Sequence, residues 1–303
     1  MQPSDRFRKM PAQFWAYVRL VSQDVGYSRD GAIVVPTLDQ IRAALLERDL
    51  NTDEVMVSGD ATLFGTDLID YFAYRAEILN GVVEPLLRDA DAARQDYLAL
   101  RRRLSPSSPQ PMNKQKGDKR APAYLTCMVN MLIEEALDGM DCDYDPRELL
   151  VVSLGGNPLR TLSRRVDGAC PSATDPIAIW EIKEYYYTTT FGSRVADGVY
   201  ESLLDGMELE DLEAASGRRI EHLLMVDSHF TWWECGKSYL CRLVDMLNMG
   251  FVDHILFGRE IESDLPRIAA KWRERLRAMR SAEPAGQADL AAENRPGWSS
   301  APE

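Results

Sequence analysis

The stretch RRVDGACPSATDPIAIWEIKEYYYTTTFGSRVADGVYE, residues 164–201, decides how the chain is read. Its middle, residues 177–187, is rich in β-branched and aromatic side chains and predicts a strand. Side chains alternate along a strand, so Ile177, Ile179, Glu181, Lys183 and Tyr185 share one face. Ala178, Trp180, Ile182 and Glu184 share the other. A carboxylate and an ammonium on one face of a largely apolar strand are costly to desolvate without compensation. A divalent cation supplies compensation, because it prefers carboxylate oxygen. Asp167 stands in a Val-Asp-Gly context at the end of the preceding predicted strand and completes a pair of carboxylates with Glu181. Two carboxylates with water and a phosphate oxygen suit Mg²⁺, and Mn²⁺ is expected to substitute. Lys183 would face charge developing on a phosphate or orient the attacking water. A desolvated site beside a metal favours a depressed pKa for that lysine. Asp175, followed by Pro176, is a rival first acid, but it lies in the loop six residues before Glu181, and Asp167 is preferred.

Outward from this stretch the pattern is mixed α and β. A helix is predicted over residues 193–204, a strand over 222–226, a helix over 237–249 and a short strand over 254–257. A last helix is predicted to start at Asp264 and Pro266, with proline in its first turn. Upstream, Leu125, Met128, Val129, Leu132 and Ala136 mark a helix that stops near Gly139. A strand over 149–154 runs into Gly155-Gly156-Asn157-Pro158, which is turn chemistry, and a second strand leads through Leu162 to Asp167.

The order strand with Asp167, strand with Glu181-x-Lys183, helix, strand, helix resembles the PD-(D/E)XK, or restriction-endonuclease-like, nuclease superfamily. The resemblance covers roughly residues 124–258; Val166 stands where the motif's proline would be. It implies a mixed β-sheet flanked by helices, with Asp167 and Glu181 as metal ligands and Lys183 as the motif's lysine. The superfamily often places a glutamate on the helix before the sheet. Ile133-Glu134-Glu135 sits there, so Glu134 is the expected fourth catalytic residue, with Glu135 behind it. The implied activity is Mg²⁺-dependent hydrolysis of DNA, double-stranded, by a homodimer, in restriction or other anti-phage defence. Two other readings are a nuclease subunit recruited or activated by a protein partner, and a non-catalytic nucleic-acid-binding protein of the same fold.

The rest of the chain sets bounds on this. At 303 residues it can bury one substantial core and a smaller module. The net charge of −13 is unfavourable for nucleic acid, but it is uneven: residues 101–120 hold seven basic side chains against one acid. Lys114, Lys116, Lys119 and Arg120 from that run, with Arg164 and Arg165 ahead of Asp167, are the candidate phosphate contacts. Residues 1–115 read as a helical amino-terminal domain for recognition, dimerisation or docking, 116–283 as the nuclease-type domain, and 284–303 as a disordered tail. Thr37 and Gln40 form a capping-box pattern, and Pro85 is expected to divide the long helical pattern over 66–104. No apolar run approaches membrane-spanning length, and five cysteines without a C-x-x-C pair read as reduced thiols of a cytoplasmic protein. Gly236-Lys237-Ser238 lacks the first glycine of a phosphate loop, and Asp141, Asp143 and Asp145 lack the glycine and glutamate of a calcium loop.

Overall fold

The computed structural model describes residues 1–8, 10–187 and 192–282. The amino-terminal part comprises α1 (Ala12–Val25), a β1 (Ser28–Arg29) and β2 (Ala32–Ile33) hairpin, and α2 (Leu38–Leu46). A second hairpin of β3 (Met56–Val57) and β4 (Asp60–Ala61) leads into α3 (Leu63–Glu77). The Thr37 hydroxyl accepts from the Gln40 amide while the Gln40 side chain accepts from the Thr37 amide, so the capping box that opens α2 is formed. Phe14, Val18, Ile41, Leu68 and Phe72 supply this region's apolar core.

Pro85 does fall where the long pattern breaks. A π-helical turn, Ile78–Val83, follows α3, the short α4 (Glu84–Leu86) contains the proline, and Leu87 is extended before α5 (Ala90–Leu104) begins. The boundary expected near residue 115 would group α5 with the helices before it. Instead its buried face, Ala93, Tyr97 and Leu100, packs into the core beneath the sheet. The Ser/Pro segment after it is tied along the next helix, because the Glu134 carboxylate accepts from the Ser107 and Ser108 amides, each at 3.0 Å.

The strands and α-helices that follow are α6 (Tyr124–Leu137), β5 (Val151–Leu154), β6 (Asn157–Thr161), β7 (Gly168–Cys170), β8 (Ala178–Glu184) and α7 (Ser193–Ser216). They are followed by β9 (Glu221–Asp227), α8 (Lys237–Met249), β10 (His254–Phe257) and α9 (Glu260–Ala282). The fold is α/β. A four-stranded mixed sheet in the order β10-β9-β8-β7 has β7 antiparallel to β8, and β8, β9 and β10 mutually parallel. β5 and β6 pair as a separate antiparallel hairpin.

Helices cover both faces of this sheet, as strand alternation requires. Ala178, Trp180, Leu223 and Leu256 point towards α5, α6 and α9. Leu224, Val226, Ile255 and Phe257 point towards α7 and α8, and Ile179 meets Leu209 and Leu212 of α7. The amino-terminal helices dock on α8: the buried Arg75 donates to both oxygens of Asp245 at 3.0 and 3.1 Å, and the Tyr71 hydroxyl donates to the same carboxylate at 2.6 Å.

Two helices are longer than their sequence patterns suggest. α7 runs on to Ser216, and α9 starts at Glu260 with Pro266 inside it, because Ile261 and Leu265 are buried beneath the sheet. The tail expected to be disordered, 284–303, lies outside the described residues. No described helix is long and apolar enough to cross a membrane.

Candidate functional site

Cross-strand register brings the two predicted acids together. Gly168 pairs with Trp180 and Ala169 with Ile179. Continued by one residue, the register sets Asp167 opposite Glu181, on the face that Ala169 and Ile179 share. The strand pairing ends here. The Asp167 amide donates to the Trp180 carbonyl at 3.1 Å, and the Asp167 carboxylate takes the next amide, that of Ile182, at 2.8 Å. Gly168 is needed at this corner, since a Cβ on it would lie 2.1 Å from the Trp180 ring.

Glu181 is fully buried and Lys183 nearly so, both facing α7. The Lys183 ammonium donates to Glu181 Oε2 at 2.7 Å and to Glu201 Oε2 of α7 at 2.9 Å. Its stem lies against Gly198, where a Cβ would approach Lys183 Cδ to 3.1 Å. Arg164, from the irregular segment between β6 and β7, inserts a guanidinium into the same group. It donates to Glu181 Oε1 and Oε2 at 2.9 and 3.2 Å, to Asp205 Oδ2 at 2.5 Å and to Glu201 at 3.4 Å. Asp205, also on α7, is fully buried, and its Oδ1 has no hydrogen-bond partner among the described residues.

The electrostatics follow from this packing. Burial raises the Glu181 carboxyl, but Lys183 and Arg164 outweigh it and hold the pKa below its ordinary value. Desolvation, then the charge of Glu181, pushes Asp167 up to about 6, although the residue as a whole keeps an exposed side. Burial lifts Asp205 to about 7 against the pull of Arg164. Lys183 goes the other way from the depressed value its burial suggests. Burial does lower it, but Glu181 and Asp167 win and raise it above its ordinary value, so it stands as a firm cation.

Asp167, Glu181, Lys183 and Arg164 are thus gathered on one face of the sheet. Glu134 does not join them. It lies on α6, which packs on the opposite face, and its carboxylate is held by Ser107 and Ser108. Asp175 is engaged elsewhere, by Ser153 and by Arg218 at 2.8 Å. Arg165 is exposed beside the cluster, whereas Lys114, Lys116, Lys119 and Arg120 are exposed on a loop that Asn113 braces by accepting from Gln115 and donating to the Lys119 carbonyl. No hydrogen bond among the described residues joins that loop to the cluster. Glu201 and Asp205 also belong to the cluster, although neither stands on the Glu-x-Lys strand. Their signal is the four-residue spacing on the helix after the Glu-x-Lys strand, which turns both onto the sheet.

Hard carboxylate oxygens are the donors a Mg²⁺ or Mn²⁺ ion takes, and the orphaned Asp205 Oδ1 leaves one of them unsatisfied, so the donor chemistry fits such an ion. Among the described residues no three acidic, imidazole or thiol groups stand ready as a metal-binding set; Arg164 is interposed between Glu181, Glu201 and Asp205.

Residues 88–272, which contain the whole cluster, match the family model described as Domain of unknown function (DUF7687). The chain belongs to that family. Residues 1–82 match a second, Domain of unknown function (DUF7690), so the two regions meet at the π-helical turn and α4. The DUF7687 region therefore holds α5 together with the sheet, as the packing of α5 does. No curated protein and no solved structure matches the chain.

Proposed function

We propose that this DUF7687 chain is a divalent-metal-dependent nuclease of the restriction-endonuclease-like type, hydrolysing phosphodiester bonds of DNA. The observation that carries the reading is that Asp167, one residue before the β7–β8 ladder, is fixed to β8 by the Trp180 carbonyl and the Ile182 amide on either side of Glu181, with Lys183 two residues further along the same buried face. The order β8, α7, β9, α8 in a mixed sheet flanked by helices supports the reading, because that order of elements is the one on which the resemblance rests.

In this reading Asp167 and Glu181 hold the cation, which when bound supplies Lewis acidity at a phosphate oxygen. Asp167 is suited to the task because it keeps an exposed side while its amide and carboxylate are fixed to β8. Lys183 is aimed by its bonds to Glu181 and Glu201, and its role is to stabilise negative charge growing on the phosphate or to orient the attacking water. Arg165 is exposed beside the cluster, where a guanidinium suits backbone phosphate, and Arg164 is the second arginine of that proposed contact, its guanidinium held among the carboxylates. Anti-phage defence, a homodimeric enzyme and double-stranded substrate follow from the resemblance and belong to the same proposal.

One observation favours a second version, in which a partner protein recruits or activates the nuclease. The net charge is −13, and the exposed basic loop at Lys114–Arg120 is a small footprint against it. The test is incubation of plasmid and phage DNA with the purified chain in Mg²⁺, Mn²⁺ or EDTA, beside Lys183→Ala. Metal-dependent products that vanish in the variant are expected. A well-folded wild type that cuts nothing removes the self-sufficient enzyme and leaves the recruited subunit or the non-catalytic nucleic-acid-binding protein.

A further inference from the structure

The cation position of the cluster is already filled by a side chain. The Arg164 guanidinium bridges Glu181 of β8 to Asp205 and Glu201 of α7, so it sits where oxygens from the strand and the helix converge. A guanidinium and a divalent ion cannot both use those oxygens. Two features make the arrangement look incomplete rather than final. Asp205 is fully buried, yet its Oδ1 has no partner among the described residues, a state that costs free energy unless another ligand satisfies it. Arg164, by contrast, stands on an irregular segment between strands and keeps about a fifth of its side chain exposed, at 22 %. The acids are fixed on regular elements, and the arginine has somewhere to go.

We propose that Asp205 is a further carboxylate ligand of the divalent cation, and that Arg164 occupies the cation position until the metal displaces its guanidinium. The inference rests on the metal-dependent reading above for the identity of the cation. Displacement exchanges one set of charge-assisted contacts for another and leaves the guanidinium at the rim, free to take backbone phosphate in a two-pronged contact. Metal entry and the release of a phosphate-binding arginine are then one event. Lys183 keeps its own bonds to Glu181 and Glu201 and does not have to move.

The two residues make opposite predictions for metal affinity, which a purely structural role would not. Mn²⁺ and Mg²⁺ are titrated calorimetrically into the full chain without nucleic acid, for wild type, Arg164→Ala, Arg164→Lys and Asp205→Asn. Removing the competing guanidinium in Arg164→Ala should tighten Mn²⁺ binding by roughly 10-fold or more. Asp205→Asn should weaken it by roughly 10-fold or more. Arg164→Lys, which keeps a cation in place, should stay nearer to wild type than Arg164→Ala. Equal or weaker binding by Arg164→Ala overturns the proposal, as does unchanged binding by Asp205→Asn. If Arg164→Ala is unfolded in EDTA, refolding on adding Mn²⁺ supports the exchange and failure to refold overturns it. The predicted order of affinities in a protein that cleaves no DNA would leave this inference standing and remove the self-sufficient nuclease. Cleavage by wild type with equal affinities across the variants would do the reverse.

Discussion

Substitution of Gly168 by alanine tests the corner that sets Asp167 beside Glu181. A methyl at this position would lie 2.1 Å from Cε2 and from Cζ2 of Trp180, and 2.5 Å from its Nε1, far inside contact distance. The indole cannot retreat, because Trp180 is fully buried and stacked on Trp272 with ring centroids 5.8 Å apart. The strain therefore falls on β7, a strand of three residues on the edge of the sheet. Overpacking of this kind costs about 2–3 kcal/mol. Trp180→Phe alone should cost about 1–2 kcal/mol through the space it leaves. That same space accepts the methyl, so Gly168→Ala/Trp180→Phe should be more stable than the sum of the single effects by about 1.5 kcal/mol. Urea unfolding of the four proteins, followed by circular dichroism, measures the cycle. Additivity to within about 0.5 kcal/mol would refute the steric argument.

Two further predictions concern pH and salt. Glu184 ends β8 and accepts from the Thr126 amide at 3.0 Å in the first turn of α6, and burial pushes its pKa up to about 7. The folded state then keeps a proton that the unfolded state sheds above its ordinary carboxylate range, so this group's contribution to stability falls as pH rises from about 4.5 to 7. The full shift corresponds to about 3 kcal/mol, reduced because the residue keeps some contact with solvent. Glu184→Gln should be the more stable protein at pH 7.5 and lose that advantage at pH 4.5; an advantage independent of pH would contradict the assignment. Neutralising Lys114, Lys116, Lys119 and Arg120 together should reduce the slope of log affinity for DNA against log salt by about 3 to 4. An unchanged slope would remove that loop from the DNA footprint and favour recruitment by a partner.

Much of the scaffold is legible in the sequence because its strands are short, apolar and bounded by turn residues. α8 and β10 coincide with their predicted spans, and the alternation along residues 177–187 correctly separates Glu181 and Lys183 from Trp180. Local patterns fail where tertiary contacts decide. α7 reads as ending at Leu204, and Gly206 just beyond is a residue that ordinarily weakens helices. Here it is a point of close approach, since a Cβ on it would come within 2.3 Å of the Phe251 carbonyl oxygen. The shortened helix hid Asp205. Glu134 occupies a plausible position along the chain, but which face of the sheet α6 covers is a property of the assembled fold. Arg164 reads in the sequence as a phosphate contact alone, because a basic residue gives no local sign of the carboxylates that surround it in the fold.

The claim that Asp167, Glu181 and Lys183 act as one set is tested most directly by single-turnover cleavage of an end-labelled DNA duplex in Mn²⁺. Asp167→Asn, Glu181→Gln, Lys183→Met and the double variant Glu181→Gln/Lys183→Met are compared with wild type, each checked for folding. The prediction is a loss of roughly 10³-fold or more in each single variant and a double variant scarcely worse than either parent, as groups that act together behave. Folded variants that cut at the wild-type rate would contradict the account.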